Sequence, residues 1–199
     1  MRVIGGSARG RTLAGPPAPP KHAHRREAPP RGGTRPTSDL IRGVIFNMLD
    51  AMGADYARVL DLYAGTGALG IEALSRGEGE ADFVEQDGAA ARVIHENLRR
   101  TGFAGRARVH RFAAEQAAAR LSGPYTLVLA DPPYYDVGAL ETVRALASSA
   151  LVGEGTVFVL EHHRRVPPPE SLGPLRLYRS RRHGETVVSI YAMAREEVS

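Results

Sequence analysis

From residue 58 onward, short apolar runs alternate with segments of helical periodicity. This alternation confines the chain to a parallel sheet covered by helices on both faces, because a parallel strand needs a crossover before its neighbour can pair. Strands are expected at residues 58–62, 81–85, 107–110, 125–130 and 156–161, with helices at 68–76, 89–100, 113–121 and 139–151. Two further strands, 175–180 and 186–193, flank His183-Gly184-Glu185 and are expected to form an antiparallel hairpin. The expected fold class is α/β: a doubly wound, mostly parallel sheet that closes on an antiparallel C-terminal strand.

What precedes this region is of another kind. Residues 16–36 hold seven of the fourteen prolines and few apolar residues, the composition of a linker. Before it, residues 2–13 are expected to form a short hairpin around Gly5-Gly6 or Gly10. After it, Thr37 or Ser38 is expected to cap a helix that puts Leu40, Ile41, Val44, Ile45, Met48, Leu49 and Met52 on one face. The expected division is therefore a basic N-terminal hairpin and linker over residues 1–37, followed by one α/β domain over 38–199.

Charge is segregated along the same lines. Residues 1–42 carry nine Lys or Arg against Glu27 and Asp39, a net +7; residues 43–161 are net −6, and residues 162–182 return to +5. An acidic body with two basic segments suits a polyanion partner, since a positive patch gains affinity by releasing counterions from phosphates. The absence of cysteine excludes disulfides, thiolate metal sites and a cysteine nucleophile. No apolar run approaches the roughly 18 residues of a membrane span, and the Met1-to-Gly6 segment lacks the apolar core of a secretory signal. A cytoplasmic protein is expected. His22, His24 and the pair His162-His163 lack partners at metal-ligand spacing and are read as surface residues, so no metal is expected.

Three strand ends carry residues suited to chemistry. The first runs Asp61-Leu62-Tyr63-Ala64-Gly65-Thr66-Gly67 and has a further glycine at Gly70. Glycines at a strand-to-helix turn let a ligand approach the backbone closely. Gly65, Gly67 and Gly70 satisfy the dinucleotide pattern G-x-G-x-x-G, yet Asp61 would repel a pyrophosphate and suits an amino-bearing ligand such as the methionine part of S-adenosylmethionine. The second strand ends at Glu85, placed to accept the ribose hydroxyls of an adenosine, with Asp87 capping the next helix. The fourth runs directly into Asp131-Pro132-Pro133-Tyr134. Two prolines remove two backbone donors and leave carbonyls facing outward beside the Asp131 carboxylate. Those acceptors can grip an exocyclic amino group while Tyr134 offers a face for an extruded base.

The glycine loop with Glu85 and Asp131-Pro132-Pro133-Tyr134 resembles class I S-adenosylmethionine-dependent methyltransferases that act on planar amino nitrogens. Arg2-Val3-Ile4-Gly5-Gly6 with Gly10-Arg11, Arg35-Pro36-Thr37-Ser38-Asp39 with Phe46-Asn47-Met48-Leu49, and Ile71-Glu72-Ala73-Leu74-Ser75-Arg76-Gly77 are similar to the bacterial family that methylates guanine N2 in 16S ribosomal RNA. The resemblance runs from residue 2 to about residue 192. It implies a seven-stranded sheet with the last strand antiparallel and S-adenosylmethionine as cofactor. It also implies 16S ribosomal RNA or the small ribosomal subunit as partner, and a monomer. It places Asp131, Pro132 and Tyr134 at the reacting amine, and Asp61, Tyr63, Gly65, Thr66, Gly67, Glu85 and Asp131 around the cofactor. At the third strand end, Arg111-Phe112-Ala113-Ala114 has no Asp or Asn to hold the adenine amino group, so backbone near Phe112 and Ala113 is expected to do so. Arg2, Arg9, Arg11, Arg35, Arg181 and Arg182, from the two basic segments, are the candidate RNA contacts.

Three other readings use the same residues. An adenine-N6 DNA methyltransferase fits the four-residue motif equally well. A NAD-dependent oxidoreductase uses the three glycines but finds no hydride-transfer constellation. A non-catalytic RNA-binding assembly factor needs only the basic segments.

Overall fold

The computed structural model describes residues 1–15, 36–133 and 138–194, with side chains from residue 39 in the second stretch. Strands β1 (Arg58–Leu62), β2 (Glu80–Val84), β3 (Ala107–His110), β4 (Leu127–Ala130), β5 (Val157–His163), β6 (Ser171–Leu172), β7 (Leu175–His183) and β8 (Thr186–Ala192) form one sheet in the order β3-β2-β1-β4-β5-β8-β7-β6. The first five are parallel, and β8 runs antiparallel to both β5 and β7. This is the doubly wound sheet expected from the alternation of strands and helices. The addition is β6, a two-residue edge paired to β7, too short to leave a periodic signal.

Helices α1 (Pro36–Ala51), α2 (Ala68–Arg76) and α3 (Gly88–Thr101) pack on one face of the sheet, and α4 (Ala117–Arg120) and α5 (Ala139–Ala147) on the other. Burial follows strand alternation: Val59, Leu129 and Val159 belong to the first core, while Leu60, Leu62, Val128, Phe158 and Leu160 belong to the second. α1 begins at Pro36, where the ring's fixed φ suits a first helical turn, so Thr37 and Ser38 lie inside it. The helix expected over 113–121 shrinks to a 3₁₀ turn at Ala114–Gln116 and the single turn α4. Its alanines bury little surface, with Ala114 and Ala117 reaching the core, so packing contributes little to extend it. His162, expected at the surface, is buried within β5, where its ring bonds the Ser189 hydroxyl at 2.9 Å and burial lowers its pKa. Among the described residues no helix is long and apolar enough to cross a membrane.

The N-terminal hairpin is docked through polar contacts as much as apolar ones. Its arms pair at Arg2 and Thr12, and Val3, Ala8 and Leu13 join the α1–α3 core. Glu72, fully buried on α2, accepts from the backbone N–H groups of Ile4 at 2.8 Å and Gly5 at 2.7 Å and also pairs with Arg76 at 2.9 Å. Ser75 accepts from Ala8 N–H through its hydroxyl, which donates to the Gly5 carbonyl. Gly6 has φ +72°, and a Cβ there would lie 1.7 Å from the Ser75 carbonyl oxygen. Gly6→Ala is therefore expected to lower stability by about 2 kcal/mol or more, read as a lower urea midpoint at unchanged m. An unchanged midpoint would show that the hairpin can lift off α2 at no cost.

Candidate active site

The strand order reverses between β1 and β4, and ligands of doubly wound sheets bind outside the carboxyl ends of the strands at such a point. A cavity of about 840 Å³ opens there. Its walls include Asp61, Tyr63, Gly65, Thr66, Glu85, Phe112, Asp131 and Pro132, so most of the residues singled out in the sequence meet in one space. Gly67 and Ala113 do not line it; next to Phe112 the wall is made by Ala114 and Glu115. Tyr134 lies outside the described residues, as does Arg35.

The glycines divide the work. Gly65 has φ +54°, and an added Cβ would find no neighbour closer than 3.9 Å, so its backbone shape rather than crowding calls for glycine. Gly67, at φ +75°, precedes α2. At Gly70 a Cβ would fall 2.4 Å from the Phe83 ring, so this third glycine lets α2 lie close on the sheet. The loop is held from two sides: Gly65 N–H donates to Glu85 Oε2 at 2.8 Å, and the Asn97 side chain donates to the Thr66 carbonyl at 2.9 Å.

Asp61 is buried, and its Oδ2 accepts from Gly70 N–H at 2.8 Å, while Oδ1 has no hydrogen-bond partner among the described residues. Burial, with smaller contributions from Asp131 and Glu85, raises its pKa well above the ordinary carboxylate range. The other Glu85 oxygen accepts from Asp87 N–H, and Asp87 caps α3 by accepting from Ala89 and Ala90 N–H. Asp131 presents surface to the cavity, but the surrounding walls withdraw its carboxyl from bulk water and push its pKa up to about 6.

Sequence reasoning passed over three contributors. Glu161, in the C-terminal half of β5, lines the cavity and is buried beside Asp131; the signal that singled out Glu85, an acid ending an apolar run, was present there too. Arg42 on α1 is buried and held by Asp39 at 2.9 Å, by the Arg2 carbonyl and by Glu72 at 3.5 Å. The β7–β8 turn brings His183, Gly184, Glu185 and Thr186 to the rim, with Met1 and the exposed Leu40 also lining the cavity. Arg2, Arg9, Arg11, Arg181 and Arg182 are exposed; Arg11 also donates to the Arg100 carbonyl and Arg182 to that of Gly184. Among the described residues no group of three or more His, Asp or Glu is arranged to hold a metal.

Residues 1–192 match the family described as Conserved hypothetical protein 95. The chain is 32% identical to ribosomal RNA small subunit methyltransferase D of Escherichia coli (strain K12) over 191 residues, covering 96% of this chain and 89% of that protein. The chain belongs to this methyltransferase family. It is also 36% identical to YlbH of Bacillus subtilis (strain 168), covering 96% of this chain and 98% of YlbH. The solved structure of yhhF from Escherichia coli superposes with a TM-score of 0.76 at 31% identity, covering 98% of this chain and 99% of that one. The fold is thus the Rossmann-like fold of class I methyltransferases, and membership extends through the hairpin, which the family match includes.

Proposed function

We propose that this protein transfers a methyl group from S-adenosylmethionine to the exocyclic N2 amino group of a guanine in 16S ribosomal RNA. One observation carries the reading. The glycine loop, an Asp61 oxygen without a partner among the described residues, Glu85 and Asp131 open on one cavity, in a chain of the small-subunit methyltransferase family. The cofactor supplies an electrophilic methyl on a sulfonium sulfur.

The residues present fit such a group. A buried carboxylate oxygen without a hydrogen bond is costly, and an ammonium donor at Asp61 Oδ1 would satisfy it. Glu85 already accepts two backbone N–H groups, but a carboxylate has about four acceptor positions, which leaves room for ribose hydroxyls. Phe112 offers an apolar face where the adenine belongs. Asp131 and the Pro132 carbonyl accept from the target amino group and aim its nitrogen, and Tyr134 stacks on the base. As the nitrogen gains positive charge, the Asp131 carboxylate stabilises it and takes up the departing proton. The exposed arginines of the hairpin and of β7 hold RNA phosphates, and the chain works as a cytoplasmic monomer on the small subunit or its RNA.

Glu85→Ala is expected to weaken cofactor affinity about 10- to 100-fold, the loss of hydrogen bonds to a charged acceptor. Calorimetry on a variant with an unchanged far-ultraviolet spectrum measures it, and undiminished affinity would take Glu85 out of the site. The wider reading is tested by offering labelled S-adenosylmethionine with purified 16S RNA, 23S RNA, transfer RNA or DNA, and by comparing melting temperatures with S-adenosylhomocysteine and NAD. Label in 16S RNA and stabilisation by S-adenosylhomocysteine are expected. Label in DNA alone, or stabilisation by NAD alone, would overturn it.

A further inference from the structure

We propose that Glu161 selects guanine against adenine by accepting the N1–H of the target base while Asp131 faces its 2-amino group. The inference rests on the guanine reading above and names the residue that would enforce it.

The end of the β4–β5 ladder brings the two carboxylates near one another. β4 and β5 are parallel with Ala130 opposite Leu160 as the last pair, so Asp131 leaves β4 beside Glu161, whose electrostatics it affects. Ala130 and Leu160 face the α4–α5 core. Strand alternation therefore assigns Glu161 to the opposite face, the one Asp61 occupies, and Asp131 lines the same cavity just beyond β4. Glu161 lines the cavity yet is only 7% exposed.

The other buried acids have partners. Asp61 accepts from Gly70, Glu72 from Ile4, Gly5 and Arg76, and Asp82 from the Tyr125 hydroxyl, with His110 at 2.6 Å. Glu161 has neither a hydrogen bond nor an ion pair among the described residues. Arg42 is near enough to act on it electrostatically, but its guanidinium turns to Asp39, the Arg2 carbonyl and Glu72, and its Nε has no hydrogen-bond partner among the described residues. Burial and the neighbouring Asp131 and Asp61 carboxylates raise the Glu161 pKa, and a donor such as N1–H, by bonding the ionised form, would draw it back toward the carboxylate. Glu161 faces the cavity, where an incoming donor can reach it, and a largely buried carboxylate without a partner among the described residues is explained better by a role in catalysis or recognition than by a role in folding.

The chemistry of the bases then decides what donor fits. Guanine presents N1–H and the 2-amino group as adjacent donors on one edge, matching two acceptors on neighbouring strands. Adenine presents its amino group beside N1, a bare acceptor, which would set a lone pair against the Glu161 carboxylate. Sites built to bond a group reject analogues lacking it far more strongly than apolar pockets do. A base drawn out of its stack is read along this edge.

The test uses small-subunit RNA in which the methylated guanosine, located by mass mapping, is replaced through ligation by 2-aminopurine riboside. That base keeps the 2-amino group and has no N1–H. Wild-type protein is expected to favour guanine by about 30-fold or more in kcat/KM. In Glu161→Gln, whose amide can turn either its oxygen or its N–H toward N1, guanine activity is expected to fall about tenfold and the preference to shrink below about fivefold. Glu161→Gln removes a buried charge without changing shape; should it fail to fold, Glu161→Ala is expected to lose the preference in the same way. Because 2-aminopurine also lacks O6, the narrowing of the preference in the variant is the reading that isolates Glu161. A wild-type preference under about threefold, or one that persists undiminished in the variant, would overturn the proposal and leave the guanine reading standing. Wild-type methylation of an adenine, with guanine untouched, would instead overturn the guanine reading itself.

Discussion

Asp131→Ala is expected to lower the single-turnover rate of methyl transfer by about 100-fold or more, the usual cost of losing one preorganised electrostatic contact at a developing charge. Its effect on cofactor affinity should be small, because Asp61 and Glu85 carry those contacts. Single-turnover measurement separates the chemical step from product release. The pH profile follows from the same residue. With its pKa pushed up to about 6, the Asp131 carboxyl is protonated and neutral below that pH and ionised above it. The rate should therefore rise about tenfold per pH unit below about pH 6 and level off above it, and Asp131→Asn should lose that rising limb. Transfer by Asp131→Ala at the wild-type rate would reduce the Asp131-Pro132-Pro133 segment to a structural turn.

Glu72→Ala is expected to be the most destabilising single change, at about 3–5 kcal/mol, because it removes a fully buried carboxylate shared by two arginines and two backbone N–H groups, although Arg42 keeps Asp39 and Arg76 keeps Asp50. Arg42 loses the carboxylate 3.5 Å away, Arg76 loses its partner at 2.9 Å, and the N–H groups of Ile4 and Gly5 lose their acceptor. Glu72→Gln keeps the acceptor oxygen and should cost roughly half as much. Urea unfolding measures both. The hairpin brings Met1 to the cavity wall, so RNA methylation should fall along with stability even at temperatures where the sheet stays folded. Equal midpoints for wild type and Glu72→Ala would mean that the hairpin is not held by this carboxylate.

Local pattern and tertiary pairing were not equally legible. β1 lies where alternation places it, because a buried parallel strand leaves an apolar run between turn residues, and the half-buried edge strand β3 lies within its expected bounds too. The glycine loop, Glu85 and Asp131 were legible for a related reason: each ends a strand, and strand ends in this architecture converge. Glu72 and Arg42 were not. In a helix pattern each reads as an ordinary surface charge, and what buries them is the hairpin, whose Ile4 lies 68 residues before Glu72. α4 was overread because alanine favours a helix by propensity while offering almost nothing to pack. Glu161 carried the strand-end signal, but its lack of a partner among the described residues is a property of the packed structure. Tyr134, the proposed stacking ring, lies outside the described residues, so its role rests on the sequence motif.

The most direct measurement is the identity of the methylated nucleoside. Purified protein is incubated with labelled S-adenosylmethionine and small-subunit RNA from a strain lacking the gene, and the RNA is digested to nucleosides for mass analysis. N2-methylguanosine at a single position, formed by wild-type protein and not by Asp131→Ala, is the expected product. N6-methyladenosine, or no methylated nucleoside from a protein that binds both RNA and cofactor, would contradict it.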